Sequence, residues 1–395
     1  MNSRERMAVA MRKGTPDRVP LMCQLSIGHL ALETDFSLVD IWHDTEAYVQ
    51  ALVAMHRRYG FDGVLVNLPG RDPSWREQVE RTEEQGSETL IHWRGGLVTV
   101  APHDDLPHVF TADGERRIPT LEEIDPDRLL YMEPHDISGI NFPFAWGFSG
   151  EPAPVDRPDE FFPLWQLDAI RRVRELTNGE LSVHSEIFSP FTQMMEMLDH
   201  AQALMALVMD PAKVHAILDR FTEGAIALGR LQAAEGVDAV LISSAFTGAG
   251  MISRAHYEEF ELPTLRRVIA GVREGHPDLP IYVHTCGAIG DRLDLMEQTG
   301  LDGIDTLDPP PLGTVELDQA LEILGKRVFI KGNLDPVHTL LEGTTADVRR
   351  EALWRLSVAK PGGAYILSTA CSVAPHTPPE NLLVLREVIE AEGWY

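Results

Sequence analysis

The sequence predicts an α/β fold, a single (β/α)8 TIM barrel over residues 1–395, and two observations support this prediction. Short apolar segments rich in β-branched residues alternate with long segments whose apolar residues recur at helical spacing. A short motif in which a glycine precedes the next apolar segment also recurs, at 59–64, 235–239 and 299–304. Because strands that alternate with helices form parallel sheets through right-handed crossovers, eight such units suit one barrel with insertions.

The eight predicted strands are the short apolar segments. They lie at 20–26, 63–67, 181–187, 238–243, 281–284, 303–307, 328–331 and 364–368. The helices between them carry start and stop signals. Asp210-Pro211 begins a helix that places Val214 and Ile217 on one face, and 256–272 gives another. In this recurring motif the glycine takes the position after the helix end, where glycine is favoured.

Two insertions interrupt this alternation. Residues 74–112 are predicted to form an antiparallel β-insertion, because 88–93 and 96–100 flank Arg94-Gly95 as in a hairpin. Residues 131–166 are rich in proline and aromatic side chains, which suits either a lid or pocket wall or ordinary packing against the barrel. The aromatic residues include Phe142, Phe144, Trp146, Phe148, Phe161, Phe162 and Trp165.

The composition narrows the choice of partners and compartment. With 34 Lys and Arg against 61 Asp and Glu, the net charge of −27 repels nucleic acid and anionic lipid. The chain lacks an apolar run long enough for a membrane span, and residues 1–18 lack the apolar core of a signal peptide. Three cysteines without a secretion signal suit a reducing compartment, so we expect a cytoplasmic protein without a disulfide framework.

Two of the three cysteines lie near strand ends and form a candidate metal site with a histidine. His284 ends the fifth predicted strand, Cys286 follows it, and Cys371 follows the eighth. In a barrel all three would lie at the C-terminal mouth, where active sites are assembled. One histidine and two thiolates suit zinc and leave a coordination position open for substrate. In the alternative interpretation, both cysteines are small buried apolar residues.

Three acidic residues at other strand ends are candidates to complete this site. Glu186 ends the third predicted strand and is a candidate fourth ligand or general base, or a polar residue of the rim. Asp305 and Asp308 follow the sixth predicted strand and are candidates to hold the second ring nitrogen of His284.

Several motifs resemble those of the uroporphyrinogen decarboxylase superfamily, more narrowly its cobamide-dependent methyltransferase branch. The motifs are His284-Thr285-Cys286-Gly287, Lys331-Gly332-Asn333-Leu334-Asp335-Pro336 and the run 371–381, with Ser189-Pro190-Phe191-Thr192 and Asp210-Pro211-Ala212-Lys213-Val214 between them. The resemblance covers nearly the whole chain. It implies a barrel, a zinc ion on the His-x-Cys…Cys set, and Asn333 and Asp335 as residues that orient substrate or cap the next helix.

The resemblance also implies a corrinoid (cobalamin) as methyl carrier. The chain lacks an Asp-x-His-x-x-Gly motif, so the corrinoid is expected on a separate protein that docks over the barrel mouth. A homodimer is a further expectation from the family. The decarboxylases of the superfamily hold their substrate with arginines after the first strand, whereas 23–30 contains none here. Their acid after the second strand is also missing, because Asn67-Leu68-Pro69 stands there.

The leading hypothesis is therefore a zinc methyltransferase that moves a methyl group between a corrinoid and a small substrate. The donor is a methoxylated aromatic or another methylated compound, or the acceptor is a thiol, and the direction of transfer stays open. One alternative is a metal-independent decarboxylase or lyase on the same barrel. The other is a non-catalytic protein that binds zinc or a corrinoid and a partner.

Overall fold

The computed structural model of the chain describes residues 1–111, 113–114, 118–132 and 161–395. The strands are β1 (Gly63–Val66), β2 (Val79–Gln85), β3 (Glu88–Trp93), β4 (Val98–Pro102), β5 (His108–Phe110), β6 (Ser182–Phe188), β7 (Ala239–Ser243), β8 (Ile281–Thr285), β9 (Gly303–Thr306), β10 (Phe329–Leu334) and β11 (Tyr365–Thr369).

The helices alternate with these strands. They are α1 (Ser3–Met11), α2 (Ile27–Glu33), α3 (Leu38–His43), α4 (Thr45–Tyr59), α5 (Asp168–Leu176), α6 (Pro190–Leu198), α7 (His200–Met209), α8 (Pro211–Ala234), α9 (Arg254–His256), α10 (Leu262–Gly275), α11 (Leu293–Gln298), α12 (Leu317–Leu324), α13 (Thr345–Ala359) and α14 (Pro379–Glu392). Two π-helical turns, Tyr257–Glu261 and Pro336–Leu341, precede α10 and α13.

A seven-stranded parallel sheet forms the centre of the molecule. Its strand order is β1-β6-β7-β8-β9-β10-β11, so strands that follow one another in this series are neighbours in space. These seven strands match the predicted ones after the first, with ends that differ by at most three residues. The predicted helix start at Asp210 is also observed, because this side chain caps α8. The α/β class and the parallel strand series are thus confirmed.

The prediction of a first strand at 20–26 is wrong. Only isolated bridges form there, from Leu21 to Leu367 and from Leu25 to Val373, both parallel. The backbone N–H of Asp62, just before β1, also donates to Leu21 O at 2.7 Å. The segment thus contacts both edge strands of the curled sheet. The two bridges do not join into a continuous ladder, because β11 ends at Thr369, before Val373.

Side chains inside the curled sheet form a separate apolar cluster. It joins residues of five strands to α1, to the segment at 20–26 and to Ala364 just before β11: Met7, Ala10, Met11, Met22, Leu65, Ala239, Leu241, Tyr282, Phe329, Ala364 and Ile366. A larger apolar cluster includes the other face of the strands and the helices. With both faces covered, the parallel strands are buried along nearly their whole length, as expected for this class of sheet.

The insertion at 74–112 forms a second sheet. β2, β3, β4 and β5 pair antiparallel in that order, so the predicted hairpin between 88–93 and 96–100 is part of a four-stranded sheet. Trp75, Ile91 and Trp93 form its own small apolar core. His43 of α3 stacks on Trp75 with a ring-centroid distance of 4.7 Å, which ties this sheet to the helices.

The predicted aromatic loop at 131–166 lies largely outside the described residues. Phe161 and Phe162 are described, and the ring of Phe162 packs edge-on to Tyr131 at 5.6 Å. None of the helices in the described ranges combines the length and apolar character that crossing a bilayer requires.

Candidate metal centre

Three predicted ligands meet where β8 and β11 end. His284 is the penultimate residue of β8, Cys286 follows this strand, and Cys371 follows β11. Cys286 Sγ lies 3.3 Å from His284 Nε2 and 3.8 Å from Cys371 Sγ. All three donor atoms lie within 4.8 Å of one another. The fold therefore brings two cysteines 85 residues apart into contact at the C-terminal edge of the sheet.

The spacing of these atoms suits a tetrahedral zinc ion. Zinc bonds of about 2.3 Å to sulfur and about 2.0–2.1 Å to nitrogen place two sulfurs about 3.8 Å apart, and sulfur and nitrogen about 3.6 Å apart. The observed distances of 3.8 and 3.3 Å are close to these values. A set of three protein ligands leaves one position for substrate, which is typical of catalytic rather than structural zinc sites.

The other ring nitrogen of His284 has a fixed partner. Its Nδ1 lies 3.0 Å from Asp305 Oδ2, and Lys331 Nζ donates to Asp305 Oδ1 at 2.8 Å. Burial would raise the pKa of Asp305, but the Lys331 ammonium and His284 lower it below its ordinary value. With Nδ1 engaged by the carboxylate, Nε2 is the nitrogen that faces the sulfurs.

The two thiols and the imidazole shift one another's pKa values. The contact between the sulfurs raises the pKa of Cys286 and lowers that of Cys371, so one sulfur is a thiolate more readily than the other. Burial opposes charge on His284, yet the nearby Cys286 and Asp305 raise the pKa of His284 well above its ordinary value. Because a metal requires deprotonated ligands, binding a cation here would release protons.

The Glu186 carboxyl of β6 interacts electrostatically with His284 and Cys371. Burial raises the pKa of its carboxyl to about 7, while His284 and a hydrogen bond with Ser243 oppose the rise. A carboxyl with this pKa exchanges protons near neutral pH, which is the property that a general base or acid requires.

Of the two residues expected to orient substrate or cap the next helix, Asp335 is a helix cap and Asn333 is held by buried hydrogen bonds. Asn333 is buried, its Nδ2 donates to Leu307 O at 2.8 Å, and its Oδ1 accepts from Arg355 Nε at 3.0 Å. Asp335 caps the π-helical turn after β10, where its Oδ1 accepts from the backbone N–H groups of Val337 and His338, both at 2.8 Å. Asp335 therefore holds the turn after β10, and Asn333 ties the end of β10 to the segment after β9 and to α13.

Asp308 supports the loop that carries Cys286. Its Oδ2 accepts from the backbone N–H of Gly287 at 2.6 Å, and it does not take the position beside His284 that Asp305 occupies. Burial raises the pKa of Asp308 to about 6, although the Gly287 N–H lowers it.

The loop after β7 packs against the same backbone. Ser244 N–H donates to His284 O at 2.8 Å, and Ala249 N–H donates to Ala288 O at 2.7 Å. A Cβ on Gly248 would lie 2.4 Å from Cys286 O, so a side chain has no room there. Ser244 Oγ in turn donates to the buried Glu261 at 2.5 Å.

Sequence reasoning missed Lys331 and Glu261 as contributors to this site. A lysine inside the otherwise apolar segment 328–331 is the signal that points to Lys331, because a charged residue in a buried strand requires a partner. The role of Glu261 depends on how the π-helical turn packs on Ser244, and the sequence pattern carries no sign of this contact.

A parallel sheet with its polar site at the C-terminal strand ends is the arrangement of the barrel class of enzymes. The sequence model of the family "Uroporphyrinogen decarboxylase (URO-D)" matches residues 153–391, more than half of the chain. The chain therefore belongs to this family, and the resemblance of its motifs to the superfamily is confirmed.

The named relatives include decarboxylases and a methyltransferase. The chain is 29% identical to the uroporphyrinogen decarboxylase of Vesicomyosocius okutanii over 228 residues, 56% of this chain and 63% of that protein. It is 29% identical to the methylated-thiol–coenzyme M methyltransferase of Methanosarcina mazei over 219 residues, 55% of each chain. The matching part thus spans less than two thirds of the length of either relative.

A solved structure described as a methyltransferase from Methanosarcina mazei has the same fold. It superposes with a TM-score of 0.69 over 99% of both chains, at 18% sequence identity. The similarity therefore extends beyond the aligned part of the sequence to nearly the entire fold.

Proposed function

We propose that the chain is a zinc-dependent methyltransferase that moves a methyl group between a corrinoid and a small substrate. The observation that carries this proposal is the convergence of His284 Nε2, Cys286 Sγ and Cys371 Sγ within 4.8 Å at the C-terminal strand ends. The relative named as a methylated-thiol–coenzyme M methyltransferase supports methyl transfer, with a methylated thiol or a thiol as the favoured substrate.

The proposed chemistry divides between the ion and the chain. A zinc ion on this donor set would act as a Lewis acid toward a thiol or a methylated heteroatom. Asp305 keeps the proton on His284 Nδ1, which leaves the lone pair of Nε2 for the metal. The Glu186 carboxyl, with a pKa of about 7, would accept a proton from a thiol substrate or return one to a leaving thiolate.

We assign the corrinoid to a separate protein that docks over this end of the sheet. Apolar side chains are exposed in segments that follow β7, β9 and β10, namely Met251, Leu312 and Val337. Loops that follow strands lie at the C-terminal strand ends, so these side chains are available to a protein that docks at that end. A homodimer is proposed on the family resemblance.

Metal content tests the proposal most directly. Elemental analysis of the dialysed protein is expected to find about one zinc ion per chain, and the His284→Ala/Cys286→Ala/Cys371→Ala variant is expected to lose it. Cys23→Ala is the matched control, because Cys23 is a buried cysteine outside the donor set. Less than about half a zinc ion per wild-type chain, or equal zinc in the triple variant, would contradict the proposal.

The direction and substrate are tested by spectroscopy of the corrinoid. Cob(I)alamin is mixed with methyl ethers, methylamines or methyl thioethers, and methylcobalamin is mixed with thiols. Turnover of a methylated thiol, or methylation of a thiol, is the expected result. It is expected to disappear with the triple variant and to persist with Cys23→Ala.

A decarboxylase is the second candidate, because the family model and several relatives carry that name. This activity requires neither zinc nor the two thiolates. Decarboxylation of a porphyrinogen that survives chelation and Cys286→Ser would support this candidate over methyl transfer.

A further inference from the structure

Lys331 is a fully buried lysine in the middle of β10, with only 1% of its surface exposed. Its Nζ donates to Asp305 Oδ1 at 2.8 Å. Burying a charged ammonium is costly, so such a group persists when a partner compensates for the lost hydration. The ion pair with Asp305 is therefore the contact that allows Lys331 to stay charged beside the proposed metal centre.

Lys331, Asp305 and His284 form a row across three adjacent strands. Lys331 is the register partner of Asp305 between β10 and β9, and Asp305 is the register partner of His284 between β9 and β8. Side chains at paired positions of neighbouring strands point to the same side of a sheet. The backbone itself thus sets the order Lys331, Asp305, His284, with no flexible loop between the members.

The two oxygens of Asp305 have separate roles in this row. Oδ1 accepts from Lys331 Nζ, and Oδ2 lies 3.0 Å from His284 Nδ1. Without the lysine, Oδ1 would be a buried acceptor with an uncompensated charge, which favours rotation of the carboxylate away from the histidine.

We propose that Lys331 is a positioning residue of the metal centre, which holds Asp305 so that His284 presents Nε2 toward the sulfurs. The inference rests on the proposed metal centre and extends it by one residue. Among the described residues, Lys331 forms a hydrogen bond with Asp305 and with none of the three donor atoms, so it acts through the carboxylate.

The first test is metal binding by Lys331→Met, which keeps the length of the side chain and removes its charge. Zinc affinity is measured by competition with a chromophoric chelator, and the thiolate-to-metal absorption is recorded with cobalt(II) in place of zinc. We expect a loss of affinity on the order of tenfold to a hundredfold, the range for partners of a ligating histidine, and a shifted cobalt spectrum.

A double-mutant cycle tests whether the lysine acts through the carboxylate. Asp305→Asn is expected to weaken zinc binding to a similar extent. Adding Lys331→Met to Asp305→Asn is then expected to have little further effect, because residues that act as a unit are not additive. Lys331→Gln, which can still donate to Asp305, is expected to retain more affinity than Lys331→Met.

Arg6→Met is the matched control for the loss of a buried cation. Arg6 pairs with the buried Asp62 at 2.6 Å, before β1 and therefore at the opposite end of the sheet from the metal donors. This variant is expected to unfold at a lower temperature with unchanged zinc affinity and cobalt spectrum. If Lys331→Met does not fold, Lys331→Gln replaces it in the cycle with Asp305→Asn, and a loss of affinity that adds to that of Asp305→Asn, or no loss, would overturn the role of Lys331.

The outcomes separate the two proposals. A wild-type protein that binds neither zinc nor cobalt(II) would overturn the metal centre together with the role of Lys331. Wild-type binding that Lys331→Met leaves unchanged, or additive losses from Lys331→Met and Asp305→Asn, would overturn the role of Lys331 and leave the metal centre standing.

Discussion

Glu261 is a buried carboxyl whose ionisation links the stability of the protein to pH. Its side chain is fully buried, and burial raises its pKa to about 7 from an ordinary 4.5, against the effect of its hydrogen bonds with Ser244 and Ser189. The folded state thus holds this proton more tightly than the unfolded state. The stabilisation is complete below about pH 4.5 and is lost as the pH rises through about 7.

The Glu261→Gln variant is expected to remove this loss. Between about pH 5 and about pH 8, the free energy of unfolding of the wild type should fall by about 2–3 kcal/mol more than that of Glu261→Gln. Urea unfolding of both proteins at the two pH values measures the difference. Glu258→Gln, at an exposed position of the same π-helical turn, is the control. A Glu261→Gln curve parallel to that of the wild type would contradict the assignment of the buried carboxyl.

At the level of single residues, the sequence revealed the donors better than the residues that support them. His284, Cys286 and Cys371 have residue types that suit zinc, and each is next to a strand end, so a barrel brings them together. The contact of Lys331 with Asp305 depends on the register between β9 and β10. The residue pattern of a single strand does not reveal its register with a neighbour, so the sequence alone does not pair Lys331 with Asp305.

The loop after β7 is an element that packs against the backbone of Cys286, one of the proposed metal ligands. Gly248 has room for hydrogen only, since a Cβ would lie 2.4 Å from Cys286 O. Gly248→Ala is expected to displace the backbone of Cys286 and to reduce zinc affinity on the order of tenfold, as for other residues that orient ligands. The measurement is the chelator competition used for the lysine variants.

Gly250 provides the matched control in the same loop. A Cβ there meets none of the described heavy atoms within 4 Å, and neither glycine has a positive φ. Gly250→Ala should therefore bind zinc like the wild type. Equal affinity of the Gly248→Ala and wild-type proteins would show that the loop does not set the position of Cys286.

Among the elements, the strands after the first were predictable and the segment at 20–26 was not. Each of β6 to β11 is a short apolar run between helices, so its pattern and its structure agree. The segment at 20–26 has the same pattern but begins with Pro20 and runs past the end of β11. Pairing partners decide whether such a segment becomes a strand, and a single sequence does not reveal them.

At the scale of the whole molecule, the segment at 20–26 links the two edges of the curled sheet. It bridges to Leu367 of β11, and Leu21 O accepts from Asp62 N–H just before β1. The alternation of strands and helices predicted the parallel sheet around this junction. The side-chain contacts that hold the junction come from α1 and were not predictable, because they join residues far apart in sequence.

Asp62 is the residue on which these contacts converge. It is fully buried, and Oδ1 accepts from Ser3 Oγ at 3.0 Å and from Arg6 at 2.6 Å. Oδ2 accepts from the backbone N–H of Leu21 at 3.0 Å and pairs with Arg18 at the same distance. One carboxylate thus joins α1, the edge-linking segment and the start of β1.

Replacing Asp62 by asparagine removes the charge that two buried or half-buried arginines share. Because breaking a buried ion pair leaves an uncompensated charge, we expect the free energy of unfolding to fall by about 3–5 kcal/mol. Denaturant unfolding measures this loss. Asp294→Asn removes a solvent-exposed carboxylate from a two-point contact with Arg254 and should cost far less. Zinc binding by folded Asp62→Asn should stay unchanged, because the proposed metal ligands lie at the opposite strand ends. Equal losses of stability in the two variants would mean that Asp62 does not hold the edges of the sheet together.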